Sequence, residues 1–256
     1  MDAIRWNFAP HELFVVAALA GAYAIGVRGE VVPRWRLACF GGGLLLVVAA
    51  SATPLDSLAT TSLLSAHLLQ NVVFAEWAPA LVVLAVPAGL AARLGHRRLV
   101  RLLTHPAVAL PLWLASYAAW HLPAAYDAGL RHQSSLLHLE HATYFATGLL
   151  FWWPVLQDAP RRLSYGAKAS YVMAAFVLAS PLGIVLSLLS SPAYDFYAAA
   201  PNMWGLSDLA DQQIAGVTMS VEQAVVFFCV AAFFVLRQLR AEEAHETRIG
   251  QSSQIA

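Results

Sequence analysis

The side chains of this sequence that could do chemistry gather at the ends of its apolar runs. His67, His121 and the pair His138 and His141 each stand where such a run starts or stops, and Asp211 with Gln212 opens another. On a helix, residues three apart share a face, so His138 and His141 project together, as do His67, Gln70 and Asn71 one run earlier. Imidazoles from three helices, with the Asp211 carboxylate, could enclose one metal ion. Imidazole suits copper, zinc, iron or nickel, and no thiolate joins the set, so the donors alone do not choose the metal. The plain alternative is a group of interfacial histidines hydrogen-bonded to one another.

Two acids fall deeper, Glu76 and Glu222, and neither has a Lys or Arg within its own apolar run. A bare carboxylate in hydrocarbon is costly, so each must be protonated, paired, or in contact with an ion or water. Their similar depth permits a proton or ion path beneath the histidines; a protonated, hydrogen-bonded Glu is the simpler expectation.

The elements that position these groups are membrane spans. Of the 256 residues, 59% are hydrophobic and 12% charged, against roughly 25% charged in a soluble domain. Formal net charge is zero, so no excess of cations is available to hold a nucleic acid. A hydrocarbon core of about 30 Å needs around 20 apolar residues per helix. Seven stretches approach that length: Glu12 to Val27, Leu37 to Ala52, Leu63 to Leu84, Ala107 to His121, Leu137 to Leu156, Ala169 to Leu189, and Gln213 to Leu236. The predicted fold is therefore all-α, a polytopic seven-helix bundle. Residues 1–240 form its membrane domain, and 241–256 a polar cytoplasmic tail expected to be disordered.

Every Lys and Arg except Arg5 and Arg131 lies in the loops after the first, third and fifth stretches or in the tail. By the positive-inside bias this makes the amino terminus extracytoplasmic and the carboxyl terminus cytoplasmic. It also puts the four histidines and Asp211 at the extracytoplasmic level. Cys39 and Cys229 sit inside apolar runs and read as buried apolar side chains. Trp120 and Trp204 read as interfacial belt residues, and Pro54-Leu55-Asp56 as loop punctuation.

Several ordered segments resemble the CtaG-type family of cytochrome c oxidase assembly factors. They are His67-Leu68-Leu69-Gln70 leading to Pro79 and Pro87; Trp120-His121-Leu122-Pro123-Ala124-Ala125-Tyr126-Asp127; Leu137-His138-Leu139-Glu140-His141; Gly148 to Pro154; and Trp204 through Asp211-Gln212-Gln213 to Gly216. The resemblance implies a non-enzymatic, multi-pass protein of the bacterial inner membrane that holds or delivers copper for a haem-copper oxidase. Oxidase subunits and a copper chaperone are its implied partners, and His67, His121, His138, His141, Asp211 and Gln212 are the residues that carry over. The family pattern has a second histidine at the position of Asn71, and apolar or small residues at Glu76 and Glu222.

Two other functions compete. A seven-helix intramembrane zinc hydrolase would hold zinc with three histidines and use Asp211 as base, although its usual HxxxH pair is replaced here by HxxH. A haem or quinone site would take His67 with His121 or His141. A retinal protein is disfavoured, because Lys168 is the sole lysine and stands at the start of the sixth stretch.

Overall fold

The computed structural model describes residues 4–6, 10–200 and 203–253, most of them helical and with no strand among them. In chain order the elements are α1 (Pro10–Gly26), α2 (Arg34–Ala52), α3 (Pro54–Thr61), α4 (Leu64–Val72), α5 (Ala78–Ala85), α6 (Ala88–Gly95), α7 (Arg98–Leu103), α8 (Pro106–Trp120), α9 (Pro123–Arg131), α10 (His138–Leu156), α11 (Tyr165–Leu188), α12 (Asp195–Ala198) and α13 (Asp208–Ser253). A π-helical turn at Val73–Trp77 joins α4 to α5 into one rod. A second, at Gln133–Leu137, leads into α10.

Among the described residues four helices are long and apolar enough to cross a membrane: Arg34–Ala52, Leu64–Ala85, Tyr165–Leu188 and the Asp208–His245 part of α13. The other three predicted stretches are also helical, with 17 residues in α1, 15 in α8 and 19 in α10. Leucine, valine and phenylalanine cover the outside of the bundle, as at Leu178, Leu188, Val221 and Phe233. This is the surface expected where lipid rather than water is the solvent.

Between helices in lipid, close backbone approach replaces the hydrophobic effect as the cohesive force. At the α11–α13 contact a Cβ on Gly216 would lie 2.5 Å from the Gly183 carbonyl oxygen and 2.6 Å from the Ser187 nitrogen. Likewise a Cβ on Gly148 of α10 would collide with the Ala75 carbonyl and come within 2.7 Å of Pro79 Cγ. Only a residue without a side chain lets α10 lie this tightly along the α4–α5 rod. Inside, Trp113, Phe151 and Phe227 pack with ring centroids 4.7 to 6.1 Å apart.

The arginine-rich loops are tied to helix ends. Arg36 donates to the Leu84 and Val86 carbonyls at 2.6 and 2.5 Å, neutralising the partial charge at the end of α5. Lys168 meets Asp158 at 3.0 Å.

Three expectations need correction. The tail expected to be disordered instead continues α13 as far as Ser253, with residues 254–256 outside the described set. Its Ala, Glu and Arg are strong helix formers, and Gln238 donates to Glu242 one turn on. Pro54 does not punctuate a loop but opens α3 at its first turn, where its missing N–H costs nothing, and Thr53 caps that helix through the Leu55 N–H. Cys229 is exposed on the bundle surface, and Cys39 is half-buried.

Candidate functional site

The polar centre is built where the α4–α5 rod, α8 and α10 meet. Its middle is Glu140, fully buried on the first turn of α10, just past the π turn. From the neighbouring rod, Asn71 Nδ2 donates to Glu140 Oε1 at 2.9 Å. His67 Nε2, one turn earlier on the same face, stands 3.4 Å from the same oxygen. Gly129 of α9 makes room, since a Cβ there would sit 3.1 Å from Glu140 Oε2.

The partners of His67 set its tautomer. Tyr197 of α12 has one hydroxyl proton, and at 2.5 Å it goes to the Ala59 carbonyl. The same hydroxyl lies 3.0 Å from His67 Nδ1 and so accepts that nitrogen's proton. His67 Nε2 is left facing the carboxylate. His121 is arranged alike, for its Nδ1 lies 2.8 Å from the Tyr117 carbonyl, which can only accept. Tyr144 OH lies 3.2 Å from the same Nδ1.

His141 completes the group, with its ring centroid 6.3 Å from that of His67 and stacked on Phe74 at 4.4 Å. The Nε2 atoms of His67, His121 and His141, together with Glu140 Oε2 and Tyr126 OH, are buried without a hydrogen-bond partner. A lid of tyrosines closes the site. Tyr126 stacks on Tyr194 at 4.0 Å, and Tyr194 OH donates to the His121 carbonyl at 3.1 Å. Asp127 holds the lid down by accepting from the Asp195 and Phe196 N–H groups at 3.2 and 3.1 Å. Burial pushes the Tyr126, Tyr194 and Tyr197 hydroxyls above the ordinary phenol range.

Not every predicted residue joins this centre. His138 is exposed and lines an outer groove with His141. Asp211 caps α4, accepting from the Leu64 N–H at 2.6 Å and from the Ser65 hydroxyl. Gln212 ties the α11–α12 loop through the Ala193 N–H at 2.6 Å. Gln70 turns toward α2, donating to the Ala50 carbonyl and to Asp56 at 2.7 and 3.0 Å. Among the described residues no three His, Cys, Asp or Glu side chains are placed so that, as they stand, they could hold a metal ion together.

Glu76 and Glu222 form a separate polar layer. Gln223 Nε2 donates to Glu76 Oε1 at 3.0 Å, and Trp77 Nε1 donates to Glu222 Oε1 at 2.5 Å. A cavity of about 10 Å³, bordered by Asn71, Glu76, His121 and Met219, separates this layer from the histidines. Such a volume suits a single water.

Sequence reasoning passed over Glu140, which sits between two histidines of one motif, and the tyrosines, whose depth shows only once α9 and α12 fold over the bundle. The available signal was a carboxylate within one apolar helix start, the same sign that marked Glu76 and Glu222.

Among known proteins, the family of cytochrome c oxidase caa3 assembly factors (Caa3_CtaG) matches residues 16–241. Two uncharacterized proteins, one from Mycobacterium bovis and one from Mycobacterium tuberculosis, are each 25% identical over 281 residues, covering 96% of this chain. The chain spans 42% of the length of these relatives. No solved structure matches it. With the family's match running from α1 deep into α13, across every helix that builds the histidine centre, this chain belongs to the CtaG family of cytochrome c oxidase caa3 assembly factors.

Proposed function

We propose that the protein crosses a bacterial inner membrane seven times, amino terminus outward, and passes copper to a haem-copper oxidase through the buried histidine centre. Copper here is cargo, not a resident cofactor, and the protein works as a binding partner of oxidase subunits rather than as an enzyme. The alternating arginine loops support the orientation.

One observation carries the copper reading. His67 Nε2 and the Glu140 carboxylate face each other at 3.4 Å inside the protein. An imidazole nitrogen and a carboxylate oxygen at that distance are held together by a proton or a metal cation between them. Two further imidazole nitrogens, of His121 and His141, are buried nearby without partners. Each unpaired buried group costs about 1–3 kcal/mol, and a cation taking those lone pairs would recover much of it. Neutral imidazoles fixed by a hydrogen bond at the other nitrogen are the form that binds transition metals. The ligand set proposed is thus His67, His121, His141 and Glu140. His138 serves as an outer contact, and Asp211 holds α4 in position.

The test is copper content of the purified protein after loading with Cu(I) or Cu(II), alongside His67→Ala, His141→Ala and Glu140→Gln. We expect one ion per chain in the parent and a loss of ten-fold or more in affinity in each variant. Equal copper in all four proteins, with unchanged oxidase activity in cells, would remove the proposal.

A further inference from the structure

A groove of about 670 Å³ opens between α1, α2 and α10, well within the roughly 300–1,000 Å³ range of small-molecule sites. Its wall is graded. Ser51 stands at the end of α2, Ser134 precedes α10 and His138 opens it, and all three lie at one end of the groove. Val47, Phe145 and Leu19 lie a turn or more deeper. The helix registers make this a depth gradient: α2 pairs Ala50 with Gln70 of the rod, and α10 pairs Glu140 with Asn71 at that same level. His141 belongs to both sites, for its Nε2 is buried in the interior while its ring, stacked on Phe74 at 20°, forms part of the groove wall.

We propose that this groove binds a membrane-borne isoprenoid quinone, with the quinone ring at the polar end beside the Phe74–His141 stack and the tail along the apolar wall. The polarity gradient requires an amphiphile. Among the described residues no Lys or Arg lines the groove, so a phosphate headgroup would enter without a Lys or Arg countercharge, which disfavours a phospholipid. A neutral, flat head is favoured instead, because its faces match an aromatic wall and its carbonyl oxygens can accept from the Ser134 hydroxyl or an imidazole N–H. This inference does not depend on the copper reading.

The probe is decylubiquinone, titrated into the full chain in phosphatidylcholine nanodiscs, with quinone retained after gel filtration quantified by chromatography. Saturation near one quinone per chain is expected. Ala142→Trp, which fills the groove from α10, should weaken retention at least ten-fold. Val15→Trp, filling it from α1, provides the same test should Ala142→Trp fail to fold by circular dichroism. Copper loading of either variant should match the parent, which separates failure here from failure of the copper centre. Retention no higher than in empty nanodiscs, full competition by added phosphatidylglycerol, or unchanged retention in a folded tryptophan variant would each overturn the proposal.

Discussion

Replacing Asn71 and Glu140 by leucine, singly and together, tests the centre most directly. Asn71 is 4% exposed and Glu140 is fully buried, and the Nδ2–Oε1 bond between them is 2.9 Å long. Asn71→Leu strips a donor from a buried carboxylate, whereas Glu140→Leu leaves the Asn71 amide without its acceptor. A stranded charge costs more than a stranded dipole, so Asn71→Leu is the more damaging single change, at about 2–4 kcal/mol against about 1–3 kcal/mol. In the double variant neither partner is stranded, and part of the loss is regained. Side-chain hydrogen bonds between membrane helices couple by about 0.6 kcal/mol on average and about 1.7 at most, while bonds to charged groups reach about 1.5–3 kcal/mol. A coupling of about 1–2 kcal/mol therefore follows. Reversible unfolding in mixed micelles with increasing dodecyl sulfate, followed by circular dichroism, measures all four proteins. Additivity within about 0.5 kcal/mol would refute a direct Asn71–Glu140 bond.

Asp211→Ala should destabilise the fold by about 1–2 kcal/mol through loss of the α4 cap yet leave copper stoichiometry unchanged, checked by unfolding and metal analysis of the same sample. Gly148→Leu should lower stability by about 3 kcal/mol or more, since overpacking alone costs about 1–3 and here the obstacle is backbone; thermal unfolding in detergent reads it. The buried phenols of Tyr126, Tyr194 and Tyr197 have folded pKa values raised above that of the unfolded chain. Their contribution to stability is complete below about pH 10 and is lost as pH rises above it. An ultraviolet titration should show these three ionising only as the helical signal collapses, and Tyr197→Phe should remove one phenol from that late phase.

The family was readable from the resemblance of ordered motifs between His67 and Gly216, and helix positions because length and hydropathy are local properties. A run of apolar residues must hydrogen-bond its own backbone in lipid, so helices at α2, α4–α5, α11 and α13 follow from composition alone. His67, His121 and His141 were likewise identifiable as a group, since each ends or begins an apolar run and the arginine loops order those ends by level.

Tertiary structure alone decided which polar groups meet. Spacing put His67, Gln70 and Asn71 on one face, but α2 and α10 approach the rod from different sides. The i,i+4 pair His67 and Asn71 therefore faces Glu140, while Gln70 turns to Ala50 and Asp56. His138 and His141 do share a face, as their spacing requires, yet that face borders a groove, and only the ring of His141 is seated deeply enough to bury Nε2. Glu140 gains its meaning from Gly129, Asn71 and the Nε2 nitrogen of His67, contributed by residues 11 to 73 positions away in the chain. Asp211 looks like a ligand in the sequence and acts as a cap in the fold because α13 starts beside the unpaired N–H groups of α4. Local pattern determines which segments become helices and how deep their polar residues lie; crossing angles and close backbone contacts, at Gly148 and at Gly183 with Gly216, determine which of those residues touch.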